Sequence, residues 1–254
     1  MGLVICPDAD NAAMRLTEWI EQAVLAKPRL VLGLACGRTL GTAYSELVKR
    51  YHASSDLTFR HATCFNTDEF LGVHPDDPRS ARYFMNTTFF KLCDFRLENT
   101  HVPRGDAVDI TAECKAYDHY IAASGGLDLV VLGLGHNGHV GFNEPGSTLR
   151  SKTRPVEFTA STMAALSDGS RFRDLSETPD GAITMGLSSL MEAKHVVLIA
   201  TGIAKAQAVY RMFERKPGPS VPASQLLQHP NLSVVVDRDA ASSLQDPDVE
   251  VQHV

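Results

Sequence analysis

An imidazole and a carboxylate on a glycine-laced turn form the chemically richest grouping in this sequence. The run Leu132-Gly133-Leu134-Gly135-His136-Asn137-Gly138-His139-Val140-Gly141-Phe142-Asn143-Glu144-Pro145 follows an apolar stretch, Leu127 to Leu132. A strand end followed by such a turn is where open α/β sheets carry out chemistry. The glycines let backbone approach a ligand closely, and His139 and Glu144 are suited to general acid–base work. Gly133 to Gly138 also spells G-x-G-x-x-G, but the long helix of a dinucleotide fingerprint is not expected here, because Asn143-Glu144-Pro145 reads as a turn. A hydride-transferring dinucleotide enzyme is therefore disfavoured. A lone histidine near a strand is more often a structural hydrogen-bonder; His139 has Glu144 beside it.

Two further turns carry polar groups. Asn66-Thr67-Asp68-Glu69 sets adjacent carboxylates after an apolar strand. Such acids at a helix start are commonly dipole partners, whereas on an active edge a desolvated carboxylate is a base for a proton α to a carbonyl or imine. Gly33-Leu34-Ala35-Cys36-Gly37-Arg38-Thr39 opens a helix whose free N–H groups would hold a phosphate. It lacks the lysine of a Walker loop, and a packed strand-to-helix connection would also explain its glycines; Arg38 favours phosphate.

The elements that must position these turns alternate. Asp8 to Lys27 reads as helix, Arg29 to Leu34 as strand, Thr39 to Tyr51 as helix, Phe59 to Phe65 as strand, and Ser80 to Lys91 and Ile110 to Ala123 as helices. Leu127 to Leu132, His195 to Ala200 and Leu232 to Val236 read as strands, with a helix from Ile203 to Arg215. Apolar strands separated by helices predict an α/β fold with a doubly wound, mostly parallel sheet and helices on both faces, in one domain over residues 1–254. Strand C-termini of a parallel sheet share one edge, so the three turns should converge. The polar stretch Ser161 to Gly181 exceeds an ordinary connection and predicts a lid at about 159–174.

Composition narrows the partner. The chain has 24 Lys+Arg against 30 Asp+Glu, a formal charge of -6, and no basic block, which argues against nucleic acid. No apolar run approaches a membrane span, and Leu3-Val4-Ile5-Cys6 is too short for a signal-peptide core. Five cysteines without a Cys-x-x-Cys pair argue against a disulfide framework or zinc site and for reduced thiols in a cytoplasm. The expected partner is a small molecule.

At Asn66-Thr67-Asp68-Glu69-Phe70, at Gly135-x-x-Gly138-His139-x-x-Phe142-Asn143-Glu144-Pro145, and at Ala182-Ile183-Thr184-Met185-Gly186, the chain resembles the glucosamine/galactosamine-6-phosphate isomerase family over nearly its whole length, and most closely its deaminating branch. The resemblance implies conversion of a hexosamine 6-phosphate, glucosamine 6-phosphate first, to fructose 6-phosphate and ammonia without metal or organic cofactor. It makes Asp68 the base for the C2 proton and gives ring opening to His139 assisted by Glu144. It assigns Gly37, Arg38 and Thr39 to the phosphate, with Arg171 and Lys205 as its cations.

Some positions depart from the family pattern. The phosphate turn is Ala35-Cys36-Gly37-Arg38-Thr39-Leu40 where the family more often has Pro-Thr-Gly-Gly/Ser-Thr-Pro. Asn137 stands where allosteric members carry a third carboxylate. An asparagine can accept a proton-bearing imidazole nitrogen but cannot balance an imidazolium, so Glu144 is expected to carry more of that role. Of the activator-binding positions Ser147 and Arg154 match, but Val156 replaces a lysine, so activation by N-acetylglucosamine 6-phosphate is not expected. Galactosamine 6-phosphate remains the rival substrate. A 6-phosphogluconolactonase is disfavoured by Asn143-Glu144-Pro145. A silent sugar-phosphate sensor is disfavoured by retention of Asp68, His139 and Glu144 and by the lack of room for a helix-turn-helix ahead of the first expected strand. Oligomeric state, monomer or homo-oligomer, is left open.

Overall fold

Short polar residues, Asp8, Ser80, Asp109, Thr159 and Asp237, stand just ahead of five helices and cap them. The computed structural model describes residues 2–169, 171–214 and 216–244, with the backbone of 251–253. Strand β1 (Gly2–Cys6) leads to helix α1 (Ala9–Ala26), whose first turn is capped by the Asp8 carboxylate accepting from the Asn11 N–H at 2.8 Å. Then come β2 (Val31–Leu34), α2 (Arg38–Ala53), β3 (Thr63–Asn66), the short β4 (Asp68–Phe70) and α3 (Ala81–Thr88), which is capped by Ser80. β5 (Thr100–His101), α4 (Ile110–Ala123, capped by Asp109) and β6 (Leu129–Gly133) follow. Next are β7 (Arg154–Glu157), α5 (Ala160–Leu166), β8 (Gly181–Thr184), α6 (Leu187–Met191) and β9 (His195–Ala200). A 3-10 turn at Ile203–Lys205 runs into α7 (Ala206–Glu214); α8 (Pro222–Gln225), β10 (Leu232–Asp237), α9 (Arg238–Ala241) and β11 (Val251–His253) complete the described chain.

Eight strands form one sheet in the order β11-β1-β10-β9-β6-β2-β3-β5, every pair parallel. From β2 the chain winds one way through β3 to β5, and from β6 the other way through β9 to β10. The winding therefore reverses between β2 and β6, and the crevice beyond their C-termini is the switch point where such sheets bind ligands. Both faces are buried. Along β6, Leu129 and Val131 pack with α1, α2 and α3, while Val130 and Leu132 pack with α4, α6 and α7. Gly33 keeps β2 close to β6, since a Cβ there would lie 2.6 Å from Val130 Cγ2.

The doubly wound α/β fold is as expected, with three differences. The main sheet gains β1 ahead of the first helix, from a segment too short to show periodicity, because β10 pairs with it throughout its length. A second, antiparallel sheet, β4-β8-β7, takes Asp68 and Glu69 out of a turn or helix start and into a strand. The polar stretch expected as a lid contains α5, N-capped by Thr159, and ends in β8. Ser170 within it, and Arg215 at the expected end of the Ile203 helix, lie outside the described residues. No described helix is long and apolar enough to cross a membrane.

Candidate active site

Asp68 opens β4, immediately after the C-terminus of β3, and is only 8% exposed. Its Oδ2 accepts the Thr67 hydroxyl at 2.6 Å. Burial lifts its carboxyl to about 6, against the Thr67 hydrogen bond and the positive fields of Arg171 and His139. Successive strand residues face opposite ways, so Glu69 turns from the site. It accepts from the backbone N–H of Phe70 (2.9 Å), Ala81 (2.8 Å) and Arg82 (3.0 Å), and so caps the N-terminus of α3. The helix-partner reading applies to Glu69, while Asp68 remains at the sheet edge.

The β6 turn brings His139 and Glu144 together. Imidazole Nδ1 lies 3.7 Å from Glu144 Oε2 and 3.4 Å from the Thr162 hydroxyl. The ring sits directly over Gly135, where any Cβ would overlap it. Gly141, at φ +54°, lies beside the acid: a Cβ there would lie 3.1 Å from Thr184 Oγ1 and 3.6 Å from Asp68 Oδ2. Glu144 is buried, which raises its carboxyl, but contacts with His139, Thr162 and Asn137 prevail and hold it down at about 2. It is thus an anion across the working pH range, backing the imidazole.

Asn137 departs from expectation. Its carbonyl accepts the backbone N–H of His139 at 3.1 Å, and its amide donates to Glu144 Oε2 at 2.6 Å. It positions the carboxylate and the loop and makes no bond to the imidazole. The reason is geometric: two residues before His139 on a tight turn, its side chain folds back on the backbone. The first turn of α5 adds hydroxyls that sequence reading overlooked. Thr159 Oγ1 lies 3.3 Å from Glu144 Oε2 and 3.2 Å from the Asn137 amide nitrogen. A threonine N-cap followed by another three residues on was the available signal, inside a stretch read as loop.

Across the switch point, Gly37 precedes α2 and offers no side-chain cap, leaving the helix's first N–H groups open. The Thr39 hydroxyl is 2.9 Å from that of Thr201, just after β9, which ties the two strand ends together. Lys205 stands on the same side in its 3-10 turn; burial, then the nearby charge of Arg38, lower its ammonium to about 8. The backbone N–H of Gly202 is held by both oxygens of Asp237, at 2.8 and 3.0 Å, which fixes the turn bearing that lysine. Arg38 is 84% exposed and lies 3.8 Å from Asp168. Open N–H groups, an ammonium and a guanidinium at one helix start can take a dianion.

Arg171 approaches from the α5 segment. Its Nε and Nη2 donate to the carbonyls of Arg79 (2.8 Å) and Ser80 (2.9 Å), and its guanidinium lies over Phe70 and Phe84. With Phe172 buried against Phe70, this pins the segment onto the second sheet while its charge reaches Asp68. Ser147 and Arg154 bond to each other at 2.7 Å, and Arg154 also donates to Asn143 Oδ1 at 3.0 Å. Among the described residues no group of three His, Cys, Asp or Glu side chains could hold a metal ion.

The family described as glucosamine-6-phosphate isomerases/6-phosphogluconolactonase matches residues 8–235. The chain belongs to this family. A glucosamine-6-phosphate deaminase of Rhodopirellula baltica is 44% identical over 241 residues, covering 94% of both chains. One of Lysinibacillus sphaericus is 46% identical over 209 residues, covering 82% of this chain and 87% of the relative. Among solved structures, a monomeric glucosamine-6-phosphate deaminase superposes with a TM-score of 0.92 at 34% identity, over 96% of this chain and all of that one. A 6-phosphogluconolactonase from Leishmania guyanensis, at 19% identity and a TM-score of 0.75, shares the fold.

Proposed function

We propose that this chain is a glucosamine-6-phosphate deaminase, converting glucosamine 6-phosphate and water to fructose 6-phosphate and ammonia. The observation that carries the reading is the meeting, on one sheet edge, of a desolvated carboxylate, Asp68, with the His139 loop whose imidazole is backed by the anionic Glu144. The substrate's phosphate occupies the open start of α2, held by the N–H groups from Gly37 to Thr39, by Lys205 and by Arg38, with Arg171 completing the grip from the α5 segment. Charge-assisted hydrogen bonds of this kind are worth ~1.5–3 kcal/mol each.

Anchored there, the sugar presents its ring to the His139 turn. His139 moves a proton from the anomeric hydroxyl to the ring oxygen, opening the hemiacetal, and Glu144 stabilises the imidazolium while the proton is in transit. Asp68 then takes the C2 proton of the open-chain aldehyde, which is acidified by the adjacent carbonyl. A carboxylate with a pKa of about 6 is ionised at neutral pH yet more basic than an exposed one. Return of the proton to C1, with one amine proton passing to the former aldehyde oxygen, leaves an imine at C2, which water hydrolyses to the ketose and ammonia. Asn137 and Thr159 keep Glu144 in place, and the segment at about 159–174 serves as the lid that shields the open-chain sugar from solvent. Each of these groups comes from one chain, and the five thiols, all free, fit a reducing cytoplasm.

The test is direct. Purified protein given glucosamine 6-phosphate should release ammonia and fructose 6-phosphate in equal amounts, faster than with galactosamine 6-phosphate. No ammonia from either sugar would refute the reading, and preference for the galacto epimer would reassign the substrate.

A further inference from the structure

At the opposite edge of the main sheet, where β2 and β3 begin, a cavity of about 340 Å³ is lined by Arg29, Arg60, His61, Thr63, Arg96 and Asn99. That volume lies at the lower end of the ~300–1,000 Å³ typical of small-molecule sites. The three arginines arrive from separate connections, ahead of β2, β3 and β5. Among the described residues none of them has a carboxylate within ion-pair distance. Of the acids around the cavity, Glu98 beside Asn99 is exposed and forms no ion pair with these arginines, and two others are engaged elsewhere. Asp128 is held by Lys27 (2.6 Å), Lys194 (2.8 Å) and the Val31 N–H (2.9 Å). Asp94 is held by the Thr58 hydroxyl (2.6 Å) and the Phe59 N–H (2.7 Å). In a chain whose acidic side chains outnumber its basic ones, these three exposed arginines make a local positive patch around one cavity, and such a patch attracts an anion.

We infer that this cavity is a second anion site, separate from the catalytic edge, that takes a small phosphorylated metabolite. Guanidinium forks match phosphate oxygens in paired hydrogen bonds, and Thr63 and Asn99 add a hydroxyl and an amide suited to the ligand's polar body. β2 and β3 separate the cavity from the catalytic turns by roughly 10 Å of strand, so one ligand does not span both. The site is independent of the deaminase reading.

Inorganic pyrophosphate is the probe, titrated calorimetrically into the full-length protein at low salt. A Lys205→Met background removes a cation of the catalytic edge, and binding should persist there. Adding Arg60→Ser and Arg96→Ser should weaken it at least tenfold, while these two changes alone leave kcat/KM for the sugar phosphate within twofold of the parent. Arg60→Lys with Arg96→Lys keeps the charge but loses the forks and should give intermediate binding. As a second measurement, pyrophosphate should raise the Tm of the Lys205→Met protein and not that of the triple variant. Pyrophosphate binding abolished by Lys205→Met alone, an unchanged isotherm in the triple variant, or equal binding of sulfate at the same concentration would overturn the proposal.

Discussion

Replacing Thr67 by valine should move the acid limb of catalysis to higher pH. The Thr67 hydroxyl, almost wholly buried, donates to Asp68 Oδ2 at 2.6 Å and is the largest influence resisting the upward push of burial on that carboxyl. Valine keeps the volume and the backbone bonds through which Thr67 joins β2 and β8, its N–H to Leu34 and its carbonyl to Met185. What is lost is one hydrogen bond to a charged group, ~1.5–3 kcal/mol, which equals roughly 1–2 pK units. From a start of about 6, the midpoint should rise to ~7–8. At pH 7 the ionised fraction of Asp68 then falls from about nine-tenths to between roughly a half and a tenth. The assay is the initial rate of ammonia release at low substrate, giving kcat/KM between pH 5.5 and 8.5. The substrate's phosphate also titrates near ~6, but it does so for both proteins, so the variant-to-parent ratio isolates the enzyme group. That ratio should be lowest in acid and climb as pH passes 7. A ratio flat across the range would show that Asp68 is not the group whose ionisation limits the rate, and the assignment of the base would fall with it.

Asp68→Asn should abolish turnover and yet stabilise the fold. The native carboxyl is raised well above its unfolded value, so the parent loses stability as pH rises from ~4 to 6; a neutral amide removes that cost, giving ~1–3 kcal/mol and a higher Tm at pH 7.5 in calorimetry. A lower Tm would contradict the burial argument. Glu144→Gln should slow ring opening about 100-fold, since an anion held at about 2 by contacts with His139, Thr162 and Asn137 no longer backs the imidazole; anomer exchange of bound substrate, followed by magnetisation-transfer NMR, would reject this if it ran at the parent rate. Lys205→Met should raise KM by ~10–100-fold with kcat little changed. The parent's own KM should climb above pH 8, where the free ammonium deprotonates, and the variant's should not; identical profiles would remove Lys205 from the phosphate site.

The deepest difference between sequence and structure concerns the acids at Asp68 and Glu69. Local chemistry left each with two roles, base or helix partner, and neither spacing nor charge could divide them. Strand β4 separates their surroundings, because pairing with β8 sends alternate side chains to opposite faces, Glu69 to the start of α3 and Asp68 to the sheet edge. Strand β7, Arg154-Pro155-Val156-Glu157, shows the same limit. A polar four-residue edge strand carrying proline has no pattern of its own and exists because β8 is there to pair with it. The roles of Asn137 and Thr159 were not legible for a related reason: Thr159 joins Asn137 and Glu144 on the turn to the start of α5, a helix hidden in the polar stretch.

What the amino-acid order determined unaided was the alternation of apolar strands with capped helices, and through it a parallel sheet whose strand ends share one edge. That alternation suffices to bring the Gly37 turn, Asp68 and the His139 loop to one place, because hydrophobic periodicity is a local property summed over many residues. Tertiary structure alone decided which of two neighbouring carboxylates caps α3 and which stays at the sheet edge, that Asn137 serves Glu144 rather than the imidazole, and that burial lifts Asp68. Those outcomes depend on directions and on exclusion of water, and both arise only when segments distant along the chain close on one another.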